Sequence, residues 1–156
     1  MEFSFDFANR LINSAELLIV NYPNEKDTDR TVLYLSCLSC EISLKAILEN
    51  AGYSEKELRA CSHNLSLLLK KVTECEHDDP YFRTSSILAQ TVRANFLNCT
   101  VGTLLRAEDA QKASTYPNKI RYGEQITHYP HGVMLDCAKV VSQWCRKNHE
   151  CIKKVQ

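Results

Sequence analysis

The chain lacks an excess of charge of either sign: lysine plus arginine and aspartate plus glutamate each total 19 of 156 residues. A general polyanion binder draws on surplus basic charge, so this balance argues against that class and leaves room for a local basic patch. A membrane-spanning apolar run is missing near the start, where Ala15–Val20 falls far short of the roughly 20 residues that cross a bilayer. Glu2 and Asp6 stand where a signal peptide carries positive charge, and no small-residue cleavage site follows. Internal repeats, low-complexity tracts and convincing strands are absent too. So are a Gly-rich phosphate loop, a nucleophile elbow and an acidic array for magnesium. The expectation is one cytoplasmic globular domain over residues 1–156, with no membrane association and no cofactor. A hydrophobic content of 44% is ordinary for such a domain.

Eight cysteines are present. Without an export signal they are expected to stay reduced and to serve as small apolar side chains. Helical periodicity dominates the rest. A first helix is expected over about 5–21, with Phe7, Leu11, Ala15 and Leu18 inward and Tyr22-Pro23 as its stop. A second runs from a cap near Thr28 to Asn50, with Gly52 as a left-handed terminator. Its apolar residues cover most of its circumference, which marks a central helix. Ser54 with Glu57 reads as a capping box before a short turn. A third helix follows, capped by Ser62 or Asn64, with Leu65, Leu68, Leu69 and Val72 buried. Asp79-Pro80 is a start signal for a fourth, continuing to about Ala113 and bending near Gly102. Residues 114–132 read as a long loop, and a last helix runs from about His131 to Val155. The class is all-α: an up-and-down bundle of four to five helices with one long loop before the last.

Chemistry-bearing residues concentrate in two places. Glu41 and Lys45 sit four apart in the favourable ion-pair orientation on a mostly buried helix, and each needs a partner there. His63, at the start of the following helix, is placed to reach them. Two readings stand: a polar knot that fixes how the two helices meet, or the lining of a ligand groove. Cys37, Cys40, Cys61 and His63 are numerous enough for a tetrahedral zinc, yet no turn lets the first pair converge. Together with Ser36, Ser39 and Ser43 the first two instead suit a small-residue ridge for close helix contact. Cys145, His149 and Cys151 form a looser cluster, also without a matching pair. Arg146, Lys147, Lys153 and Lys154 near the end are explained by a solvated helix terminus, with contact to RNA phosphates as the alternative.

The ordered set "YLSCLSCEISLKAILENAG" followed by "SHNLSLLLKKV" resembles the HEPN superfamily of helical domains. "ANRLINSAELLI" before it and "NKIRYGE" after it fit the same pattern, in scattered pieces over roughly residues 5–125. The resemblance implies a helical bundle that commonly forms homodimers. It also implies a role as a nucleic-acid-associated or nucleotide-binding module in a bacterial defence, phage-defence or toxin–antitoxin setting, with a nucleotidyltransferase or other defence-system protein as partner. Some members of that superfamily are metal-independent ribonucleases with four to six residues between an arginine and a following histidine. Here Arg121 and His128 meet that spacing. In such chemistry the histidine takes the 2′-hydroxyl proton, the arginine holds the phosphate, and Tyr122 or Tyr129 stacks a base. The competing reading is that Arg121 and Tyr122 pin the long loop onto the bundle. A non-catalytic protein–protein assembly module is the third alternative.

Overall fold

A computed structural model describes residues 3–77, 86–93, 98–107, 109 and 115–154. Its first helix, α1 (Phe5–Asn21), begins where the Ser4 hydroxyl accepts the Phe7 amide. Ala8, Leu11, Ile12 and Ala15 form its buried stripe at helical spacing. Phe7 does not join that stripe and is half exposed, because Ala8 takes the inward position beside it.

Helix α2 (Thr28–Asn50) is the central element, packed by α1 on one side and by the last helix on another. Its length and hydropathy would suit a membrane span, but most of that apolar surface is covered by the rest of the chain. Thr28 is its first residue, not its cap, and donates its hydroxyl to the Tyr22 carbonyl at 2.8 Å. At the far end the Tyr53 amide returns to the Leu48 carbonyl while Gly52 takes φ +98°, the expected left-handed stop. The small-residue ridge is present: Ser36, Cys37, Ser39, Cys40 and Ser43 are all fully buried. The Ser39 hydroxyl donates to the Ala8 carbonyl of α1 at 2.9 Å, a contact that only close backbone approach allows.

Ser54 and Glu57 form the expected capping box of α3 (Glu55–Ala60). Asn64, not Ser62, caps α4 (Leu65–Glu74), which buries Leu65, Leu68, Leu69 and Val72. The expected fourth helix is corrected by the structure. Its start signal at Asp79-Pro80 and part of its length lie outside the described residues. Where it is described, Thr91–Arg93 (β1) pairs antiparallel with Asn98–Thr100 (β2). T-V-R alternates exposed, buried, exposed, and β-branched Thr and Val suit a pleated surface better than a helix. A short 3-10 turn at Ile87–Ala89 precedes the strands, and α5 (Val101–Leu105), capped by Thr100, follows them. Gly102 lies on α5 where a Cβ would come within 3.1 Å of the Leu88 carbonyl oxygen, a close approach that suits a residue without one.

The segment expected to be a long loop contains helical structure among its described residues, 115–132. Thr115–Lys119 makes a wide helical turn that buries Thr115, Tyr116 and Pro117. The last helix, α6 (His131–Asn148), stops earlier than expected. A short 3-10 turn follows, and Ile152 then bridges to His77. The described fold is therefore predominantly helical with one small strand pair, around one hydrophobic cluster.

Candidate functional site

Tyr34, Glu41 and Lys45 recur at intervals of seven and four along α2, so they share one face of that helix. Glu41 and Lys45 are buried, and their charges meet: Lys45 Nζ lies 2.7 Å from Glu41 Oε1. The stem of Lys45 also carries its ammonium over the Phe3 ring, 5.4 Å from the centroid. The second carboxylate oxygen has two further donors. His63 Nδ1 is 2.9 Å from Oε2, and the Tyr116 hydroxyl donates to the same oxygen at 2.7 Å. Burial pushes the Glu41 carboxyl up, but hydrogen bonds from Lys45, Tyr116 and His63 and the Lys45 charge outweigh it, so its pKa falls below the ordinary range. Tyr116 moves the opposite way. Burial and the adjacent Glu41 charge raise its phenol far above the usual value, which keeps it a neutral donor.

The expected Glu41–Lys45–His63 set is thus assembled, and Tyr116 is the member that sequence reasoning missed. Tyr116 links this knot to a second group. Its ring lies 5.7 Å from that of Tyr34 and 5.8 Å, edge-on, from that of His63. Beyond Tyr34 comes Arg121, whose guanidinium stands 5.7 Å from the Tyr34 centroid and donates to its hydroxyl at 3.0 Å. The result is a polar and aromatic seam along α2 with two open ends. His63 is half exposed at one end, and Arg121 is exposed at the other.

Arg30 holds the Arg121 end in place. It donates Nε to the Ile120 carbonyl at 2.5 Å and Nη2 to the Arg121 carbonyl. Gly123, at φ +76°, leaves room for that guanidinium, which a Cβ would approach at 3.4 Å. Between these groups lies a cleft of about 310 Å³ lined by Asp27, Arg30, Thr31, Tyr34, Ile120 and Arg121. A neighbouring cavity of about 350 Å³ shares Asp27, Arg30 and Ile120 and continues to Tyr129 and His131. Neither Tyr34 nor Arg30 was singled out from sequence. Tyr34 was legible as the residue two helical turns before Glu41, whereas a reach of ninety positions from Arg30 to the Ile120 carbonyl leaves no local signal.

Arg121 and His128 engage different partners. His128 faces the Thr115 hydroxyl through Nε2 at 3.0 Å and lies against Tyr129, 4.6 Å between ring centres. Tyr122 points outward at 82% exposure and lines neither cavity. The charges near the chain's end are compensated in part, Arg146 by Asp6 at 2.6 Å and Lys153 by Glu76 at 3.8 Å. Among the described residues no three His, Cys, Asp or Glu side chains converge as metal ligands. All eight cysteines are free thiols. Cys40 and Cys137 hydrogen-bond across the contact of α2 with α6, and this bond with burial raises the Cys137 thiol well above its ordinary pKa. No protein-family model matches the chain, and comparison with curated proteins and with solved structures finds no similar chain.

Proposed function

We propose that the chain is a HEPN-like module that binds a nucleotide or a single-stranded segment of RNA at the Arg121 end of the seam. The observation that carries this reading is the posture of Arg121. Its guanidinium is laid over Tyr34, its backbone is gripped by Arg30, and no carboxylate pairs with it among the described residues. A guanidinium anchored through one N–H on the Tyr34 hydroxyl has further donors for bidentate contact with a phosphate, and the exposed Tyr122 ring next in the chain offers a face for a base. The balanced overall charge fits a local contact of this kind.

The same resemblance supports a homodimeric up-and-down bundle, a cytoplasmic location and a bacterial defence or toxin–antitoxin setting with a protein partner such as a nucleotidyltransferase. The ribonuclease alternative through Arg121 and His128 draws less support, since Nε2 of that histidine is occupied by Thr115. An assembly module without a ligand is the remaining alternative. Retention of labelled RNA and of ATP on the purified chain, measured against salt, separates these readings. Binding that weakens with salt and is lost in Arg121→Ala supports the module. Undiminished binding in that variant overturns the site, and a concentration-dependent dimer that retains neither ligand favours assembly.

A further inference from the structure

The histidine at the other end of the seam has a chemistry of its own. A carboxylate only accepts hydrogen bonds, so the Glu41 contact places the proton of a neutral His63 on Nδ1 and leaves the Nε2 lone pair bare. The ring is half exposed, and Nε2 has no partner among the described residues. Glu41 is itself fixed from two other sides by Lys45 and Tyr116, so the acceptor behind the imidazole cannot swing away. A nucleophile backed by a group that a third residue orients is the arrangement that activates side chains for covalent chemistry.

We propose that His63 is a phosphoryl-acceptor site, modified on Nε2 by a small acyl phosphate. Nε2 attacks phosphorus and forms the N–P bond. The bond from phosphorus to the acyl oxygen breaks, and the carboxylate leaves with its electron pair. The imidazole keeps its Nδ1 proton, and Glu41 stabilises the positive charge that develops on the ring. No further reactant is consumed. This site is independent of ligand binding at Arg121.

The molecule contains its own control. His149 also has Nδ1 anchored, but to the neutral Arg146 carbonyl at 2.6 Å, and its Nε2 lies 4.0 Å from Glu150 Oε1, so it lacks both the carboxylate behind the ring and the bare outer nitrogen. His131 and His128 engage Asp29 and Thr115 through Nε2 instead. Acetyl phosphate is incubated with the full-length chain at neutral pH, and acid-labile phosphoryl groups are mapped by peptide mass over time. A charge-assisted hydrogen bond exceeds a neutral one, so His63 is expected to react roughly tenfold faster than His149. Nitrogen-15 shifts of the untreated protein are expected to show Nδ1-protonated His63. Labelling of His149 at an equal or greater rate, no adduct at His63, or the opposite tautomer overturns the proposal.

Discussion

Removing the Glu41 carboxylate strands the Lys45 ammonium where solvent barely reaches it, with both side chains under a tenth exposed. Breaking one side of such a pair costs about 3–5 kcal/mol, whereas an exposed pair at the same spacing contributes well under 1. Urea unfolding of Glu41→Gln is therefore expected to show a loss of that size, and a loss below about 1 kcal/mol would contradict the buried knot. Tyr116→Phe removes one hydrogen bond to a charged acceptor and should cost about 1.5–3 kcal/mol by the same measurement. The pH dependence carries a definite sign. A carboxyl whose pKa is lowered by folding stabilises the fold above the ordinary carboxylate range, and that contribution drains away as pH falls through its folded value. Acid titration of the wild type should show this loss beginning near the ordinary carboxylate range and continuing below it. The corresponding part of the profile should be missing in Glu41→Gln.

At the scale of elements, the close contact of α1 with α2 depends on small side chains. Ser39→Leu forces volume into a fully buried position that donates to the Ala8 carbonyl, and overpacking of this kind costs about 1–3 kcal/mol. Thermal or urea unfolding checks it; an unchanged midpoint would mean that the ridge does not set the spacing. Periodicity made α1, α2, α4 and α6 legible, as did the Ser54–Glu57 box and the Gly52 stop. It failed where local signals conflict. Between Thr91 and Thr100 the spacing of apolar residues suits a helix, yet the chain pairs as two short strands. Pairing with a second strand is a gain that no window over one strand alone registers.

On the scale of the whole molecule, contacts distant in sequence build the site. Glu41, Lys45 and His63 were readable because helix spacing and one short connection bring them together. Tyr116 arrives from 75 positions away, and Arg30 reaches a turn beyond it. Such contacts exist only after the helices have docked, which is why the segment at 114–132 looked structureless in the sequence. The seam runs between its two open ends through rings in tilted and edge-on contact and through one saturated carboxylate that fixes the Tyr116 hydroxyl. Ligand binding at the Arg121 end is tested most directly by a nuclear magnetic resonance titration of the full chain with AMP, followed at assigned side chains and amides. Saturable shifts are expected at Arg121, Tyr34 and the Thr115–Lys119 turn, and are expected to be abolished in Arg121→Ala. Shifts confined to another face, or none at millimolar AMP together with no RNA binding, would contradict it.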